Sequence, residues 1–199
     1  ASTLGLYRSV PGAEADRLAP LLISLHARAM GRGWDGDDLL AEDIIATLQD
    51  RDTEPALRVL PVDIEEVVLQ TSSVGDEFRG GYVNTRTGEA ISEMLTDAGY
   101  VGDDAVVDIE EDEAWEWVPA IDSHTAWRDM ESFAERVADE KLGARLLRAI
   151  EGRGAFRRFK DVLQQDADES TRARWYLESE DRNWGRMRET LAGLGIRPQ

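Results

Sequence analysis

Two glycines placed two residues apart, Gly152 and Gly154, constrain the fold of this chain more than any other feature. On each side of the pair, apolar residues recur at the spacing of an amphipathic helix. Because glycine tolerates a positive φ, Gly152 is expected to end the first helix and Gly154 to cap the next. The pattern predicts a helix–joint–helix unit whose inward residues are Leu142, Leu146, Leu147 and Ile150 before the joint and Phe156, Phe159 and Leu163 after it.

The joint is also the most basic segment of the chain. Residues 145–160 hold six cationic side chains and one acidic side chain. Helical phase places Arg157, Arg158 and Lys160 away from the predicted apolar face, and the free N–H groups at a helix start attract anions. We therefore predict an anion- or partner-binding site that comprises Arg153, Gly154, Arg157, Arg158, Lys160 and Trp175.

Three competing interpretations apply to these residues. The joint can be an ordinary helix corner with a solvated basic face. Arg153 and Arg158 can dock internally onto the acidic part of the same chain. Trp175 has two alternative roles: it can form an aromatic platform beside the cations of the predicted site, or it can pack in the core.

The net charge of −18 is distributed unevenly. Residues 1–120 carry 26 acidic and 8 basic side chains, whereas residues 121–199 carry 15 of each. Because the acidic part repels phosphate, general binding to nucleic acid is disfavoured. The same excess supports an alternative function, in which the acidic part imitates nucleic acid and binds a basic protein.

The composition excludes several kinds of site. The chain has no cysteine, so disulfides, thiolate catalysis and cysteine-based metal sites are excluded. Its two histidines, His26 and His124, lack the spacing of a zinc hydrolase.

No apolar run approaches the ~18 residues of a spanning helix, and no secretory signal is evident. We expect a cytoplasmic protein that has no membrane contact and no cofactor.

An acidic segment, residues 108–116, leaves one enzymatic alternative open. Its carboxylates are numerous enough to hold Mg²⁺ or Ca²⁺ weakly, and a solvated turn is the competing interpretation. A divalent-metal-dependent enzyme that uses acidic residues is therefore an alternative function. No catalytic residue is assigned, and the favoured prediction is a non-enzymatic interaction or regulatory module.

The order of the predicted elements indicates an α+β fold, mostly helical with a small antiparallel β-meander. Residues 1–58 are expected to form an N-terminal helical extension and residues 59–199 a single α+β domain. Within the extension, Gly31 to Gly33 end the first helix, and Asp35 or Asp37 caps the second. The apolar stripe of the first helix consists of Leu18, Leu21, Leu22, Leu25 and Met30.

The α+β domain is expected to hold its meander at residues 78–119 and its helices at residues 123–195. Asp63 caps a short helix ahead of the meander, and a loop covers residues 96–104. The predicted strands are a hairpin at 78–83 and 89–91, a strand at 105–109 and a strand at 114–118 that Pro119 ends. Asp122 or Ser123 caps a helix whose inner face consists of Trp127, Met130, Phe133, Ala134 and Val137.

The joint and its surroundings resemble a bacterial group, uncharacterised protein family 0158. The resemblance is carried by a Gly-Arg-Gly-Ala-Phe-Arg-Arg-Phe-Lys core, and covers about residues 61–199. This core is Gly152 to Lys160, and further positions that match the family pattern are Val62 to Val68, Thr87-Gly88 and Trp117-Val118-Pro119. The resemblance implies a shared domain for residues 61–199 and no particular activity.

Overall fold

The computed structural model describes residues 3–10, 12–72, 78–110 and 112–198. Contacts divide the chain into two compact units, one formed by residues 1–120 with 182–199 and the other by residues 121–181. We call them the discontinuous unit and the central unit. The two units divide after residues 120 and 181, which does not test the boundary predicted between residues 58 and 59. That boundary stays a prediction.

The fold is α+β and mostly helical, as predicted. In chain order, the described elements are α1 (Thr3–Ser9), α2 (Gly12–Arg32), α3 (Asp37–Leu48), β1 (Arg58–Leu60), α4 (Ile64–Gln70), β2 (Gly80–Asn84), β3 (Ala90–Ser92), a 3-10 helix (Glu93–Thr96), α5 (Ala98–Val101), β4 (Trp115–Pro119), α6 (Ser123–Glu135), α7 (Glu140–Ala149), α8 (Ala155–Asp166), α9 (Glu169–Gly193) and β5 (Ile196–Pro198). Within the described ranges, no helix has both the length and the apolarity needed to cross a membrane.

The predicted hairpin supplies two strands of a three-stranded antiparallel sheet. Strands β2 and β3 pair with Tyr82 opposite Ile91. Strand β4 pairs with β2 and not with β3, so the order in the sheet is β3-β2-β4. Pairing continues through Pro119, opposite Gly80, and the Ala120 N–H donates to the Arg79 carbonyl. Pro119 therefore does not end the pairing, because a proline at the end of an edge strand can leave its missing donor on the open side.

Two further predictions for this region were wrong. Residues 105–109 form no strand, and the Val107 N–H donates to the Leu95 carbonyl instead of to a sheet neighbour. The predicted loop at 96–104 contains the end of the 3-10 helix and the whole of α5, which Asp97 caps by accepting from the Gly99 N–H. The Asp97 side chain accepts this hydrogen bond from the backbone two residues later, which stabilises the short helix in place of an irregular loop.

The two chain segments of the discontinuous unit pair in a second, two-stranded sheet. Strand β1 pairs in parallel with β5, with Arg58 opposite Ile196. Burial of this pairing is completed by apolar side chains from α4, the antiparallel sheet and the last turns of α9. This core consists of Leu60, Val62, Val67, Val83, Val118, Met187, Leu191 and Ile196.

The N-terminal helices match the prediction in position but not in their buried face. Helix α2 ends at Arg32, beside the predicted glycines, and Leu22 is completely buried. Leu21 is 55% exposed and Met30 is 63% exposed, and Leu25 is also exposed, so the predicted stripe is not the packed face. The buried residues of α2 are Leu22 and Ala29, which lie seven residues apart and therefore on the same side of the helix.

The start of α3 also differs from the prediction. Gly36, in the left-handed region with φ 68°, is the N-cap, and neither Asp35 nor Asp37 caps the helix. The Asp37 carboxylate is buried, where it accepts from the Arg32 guanidinium at 2.7 Å and from the Trp34 N–H at 2.8 Å. Gly36 is required for a second reason, because a Cβ there would lie 2.2 Å from the Gly185 carbonyl oxygen.

The central unit is a helical assembly around one apolar core. Asp122, one of the two predicted candidates, caps α6, and Asp139 caps α7. Each accepts from two N–H groups of the first turn. Phe133, Phe159 and Trp175 meet edge to face, with ring centroids 4.8–6.4 Å apart. The core consists of Met130, Phe133, Ala134, Val137, Leu142, Leu146, Ile150, Ala155, Phe159, Leu163, Ala167 and Trp175.

Candidate anion-binding site

The glycine joint of the central unit has the predicted backbone. Helix α7 ends at Ala149, and α8 begins at Ala155. Gly152 has φ 70°, and Gly154, which is the N-cap of α8, has φ 75°. Both values lie in the left-handed region that glycine adopts without strain. The prediction that Gly154 caps the second helix is confirmed. The prediction for Gly152 was wrong in position, because Ile150 is the C-cap of α7 and Gly152 lies two residues further along, in the joint.

Arg158 does not project into solvent as the sequence predicted. Its Nε donates to the Ala149 carbonyl at 2.9 Å, and its two terminal nitrogens donate to the carbonyls of Glu151 and Arg153. These acceptors lie at the end of α7 and in the joint, where the helix itself supplies no donors. One guanidinium therefore fixes the joint from the first turns of α8, and it is not available as an outward anion ligand.

Trp127 fixes the joint from the opposite side. Its indole Nε1 donates to the Ile150 carbonyl at 2.9 Å. The His124 ring stacks on the Trp127 ring, with centroids 6.2 Å apart and planes 9° apart. Because the indole is held by a hydrogen bond, this wall of the joint has a fixed orientation. The sequence analysis placed Trp127 on the inner face of α6 but gave no indication of this hydrogen bond.

Trp175 is also not where the predicted site requires it. Its side chain is 8% exposed and packs between the rings of Phe133 and Phe159. A residue so buried cannot provide a surface platform, so core packing is its role. The aromatic side chain that is exposed at the joint is Phe156, which is 41% exposed.

Phe156 was predicted to point inward, and this prediction was wrong. Ala155 is buried in its place, together with Phe159 and Leu163. Positions 155, 159 and 163 are four residues apart and lie on one side of a helix, as do 156, 159 and 163. Helical period alone does not distinguish the two sets, and tertiary packing selects the first.

Three cations of the predicted site remain exposed, namely Arg153, Arg157 and Lys160. The Arg157 side chain is 90% exposed, and its Nε lies 3.9 Å from a carboxylate oxygen of Asp161, which is itself 58% exposed. A pair this open contributes at most about 1 kcal/mol, so it leaves Arg157 available to a ligand. We refer to these residues as the three exposed cations.

An open pocket of ≈ 470 Å³ lies between the first turn of α6 and the joint. Three residues of α6 form one wall, and the joint with the start of α8 forms the other. No side chain of the described residues caps the N-terminus of α8. The lining residues are Ser123, His124, Trp127, Gly152, Gly154, Ala155 and Phe156.

An acidic side chain lies at the start of α6 beside this pocket, whereas basic side chains lie beside the start of α8. At α6, the N–H groups of His124 and Thr125 are already occupied by the Asp122 carboxylate, each at 2.9 Å. Hydrogen bonds from the Thr125 hydroxyl and N–H lower the pKa of Asp122, so this carboxylate stays ionised at neutral pH. At α8, the positive end of the helix dipole lies beside Arg153 and Arg157. The α8 side of the pocket therefore favours an anion, and the α6 side does not.

The acidic segment at residues 108–116 provides no comparable site. Its residue Glu111 lies outside the described residues. Asp112 accepts from the Ala114 N–H at 2.8 Å and from Asn84 and Arg86, and the first of these bonds contributes most to the lowering of its pKa. In the described part of the chain, no group of three histidine, aspartate or glutamate side chains is arranged to hold a metal ion.

Comparisons with known proteins do not assign a family. No family model matches the chain, and neither a curated protein nor a solved structure matches it. The resemblance of residues 61–199 to uncharacterised protein family 0158 stays a prediction.

Proposed function

We propose that this chain is a non-enzymatic interaction module that binds an anionic group of a partner at the glycine joint. The observation that carries the proposal is the placement of the three exposed cations. Arg153 lies between the two glycines that line the pocket, Arg157 lies in the first turn of α8 and Lys160 lies in the second turn. An anion there gains charge-assisted hydrogen bonds and a favourable helix dipole.

Arg158 supports the proposal without being a ligand. It donates hydrogen bonds to three carbonyls of the joint, whose negative partial charge would otherwise oppose the binding of an anion at the joint. These carbonyls of the joint are therefore occupied and offer no free acceptor to an incoming anion. In a chain of net charge −18, such a cationic surface stands apart from its surroundings.

Isothermal titration with two generic anions, poly-L-glutamate and pyrophosphate, tests the proposal. We expect binding to the wild-type chain of at least one of them. The double variant Arg153→Ala with Arg157→Ala should weaken it by about tenfold, equivalent to ~1.4 kcal/mol. Arg158 is left intact because its loss would alter the joint itself.

A matched control removes two exposed arginines from the discontinuous unit. Arg17→Ala with Arg79→Ala causes the same change of net charge. We expect affinity for the same anion to stay within about twofold of wild type, because the removed charges do not belong to the joint. Equal losses in the two double variants, or no binding by the wild type, would refute the proposal.

A further inference from the structure

We propose that the anion is carried by an acidic peptide segment of a partner protein, and that an aromatic or large aliphatic side chain of this segment enters the pocket beside Phe156. The inference rests on the function proposed above, because it assigns a class of partner to the same site. It is drawn from the apolar lining of the pocket, the exposure of Phe156 and the position of the charges around it.

The lining is better suited to an apolar side chain than to a phosphate group. Trp127 and Phe156 provide aromatic surface on opposite sides of the pocket, and Ala155 adds a methyl group. The Trp127 indole N–H is already used by the Ile150 carbonyl, so it offers no donor to a ligand. A pocket with a fixed aromatic wall and a second aromatic ring facing it resembles the apolar centre of a peptide-binding site.

Charge also argues against a phosphate deep in the pocket. The ionised Asp122 carboxylate occupies the first-turn N–H groups of α6, directly beside the lining residues Ser123 and His124. A phosphate dianion seated there would be repelled and would find these N–H groups already bonded. The favourable place for negative charge is the α8 side, outside the aromatic lining.

The spacing of α8 places the anchor and the cations together. Lys160 lies four residues after Phe156 and three after Arg157, so its side chain is a neighbour of both on the helix surface. Phe156 is 41% exposed, which leaves much of its ring uncovered. An extended acidic segment could therefore cover the Phe156 ring with an apolar side chain and place carboxylates beside Arg157 and Lys160.

The inference is tested by displaying a library of random peptides and selecting those that bind the full chain. We expect the enriched peptides to share several acidic residues around one aromatic or large aliphatic residue. Synthetic, fluorescently labelled copies should bind the wild-type chain, lose about tenfold in affinity with Arg153→Ala and Arg157→Ala, and lose about fivefold with Phe156→Ser.

Leu177→Ser is the matched control for Phe156→Ser. Leu177 is 64% exposed, lies on α9 in the same unit and does not line the pocket. This variant should bind the selected peptides as the wild type does. Because both replaced side chains are exposed, thermal denaturation should show that both variants fold.

The outcomes separate the inference from the proposed function. Peptides that lose affinity with the arginine variant but not with Phe156→Ser would overturn the apolar anchor and leave the anion site standing. Binding of inorganic phosphate with no enriched peptide would replace the protein partner with a phosphate-bearing one. Selected peptides that bind the arginine variant unchanged would overturn both proposals.

Discussion

Arg158 shows how one residue can turn from a predicted ligand into a structural element. Sequence analysis identifies the cluster of cations, but it cannot identify which guanidinium lies within reach of the joint carbonyls. Arg158 occupies the fourth position of α8, one turn above Gly154, and its forked donors suit carbonyls spread over several residues. A usable signal would have been an arginine one turn after a glycine joint.

Replacing Arg158 should destabilise the chain more than replacing its neighbour. Arg158→Ala removes donors to three carbonyls and should lower the free energy of unfolding by about 1–3 kcal/mol. Arg158→Lys should recover little, because one ammonium cannot reach three acceptors. Arg157→Ala should change stability by less than ~0.5 kcal/mol. Urea denaturation measures all three, and equal effects of Arg157→Ala and Arg158→Ala would contradict the assigned role.

Two phenylalanines three residues apart give a second comparison at this scale. Phe159 is completely buried in the central core, whereas Phe156 is exposed. Phe159→Ala should cost about 3–5 kcal/mol through lost packing and an internal cavity, and Phe156→Ala should cost less than ~0.5 kcal/mol. Thermal denaturation of the two variants measures the difference. Similar melting temperatures would show that Phe156 is packed after all.

At the scale of elements, local chemistry predicts helix starts well. Asp63 and Asp122 cap helices for which the sequence made them candidates, because an aspartate side chain just before a helix accepts hydrogen bonds from the free N–H groups of its first turn. Asp37 breaks the rule because Arg32 and Trp34 compete for its carboxylate. The parallel pairing of β1 with β5 was missed, since strands that are remote in sequence leave no local pattern.

The Asp122 cap should contribute to acid sensitivity. Because folding lowers the pKa of Asp122, its contribution is complete above the unfolded value of ~3.9 and is lost as pH falls through the folded value. The melting-temperature difference between the wild type and Asp122→Asn should therefore be constant from pH 5 to 7 and shrink below pH 4. A difference that persists unchanged to pH 2 would contradict the ionised cap.

At the scale of the whole molecule, the order of the predicted elements indicates the α+β class that the structure has. The division into two units was not predictable from local patterns. Met187 and Leu191 of α9 pack with Leu60 and Val67, more than 110 residues earlier, and only the folded chain reveals this return. The predicted site stays a prediction: Arg153, Gly154, Arg157 and Lys160 are exposed at the joint, whereas Arg158 and Trp175 have structural roles.

The net charge predicts discrimination between anions. A long polyanion such as duplex DNA spans many charges and is repelled by an acidic protein, whereas a short acidic peptide needs only a local cationic surface. Fluorescence anisotropy at ~150 mM salt should therefore show no binding of a labelled 20-base-pair duplex at micromolar protein. Tight, salt-sensitive DNA binding would contradict this account.

The most direct test of the central claim is a titration of the isotope-labelled chain with a hexaglutamate peptide, followed by the amide signals in two-dimensional NMR. We predict that the largest shifts occur at Gly154, Ala155, Phe156 and Arg157, where the start of α8 meets the three exposed cations. Saturable shifts at these amides would support binding at the joint. Unchanged signals there, or larger shifts elsewhere in the chain, would contradict it.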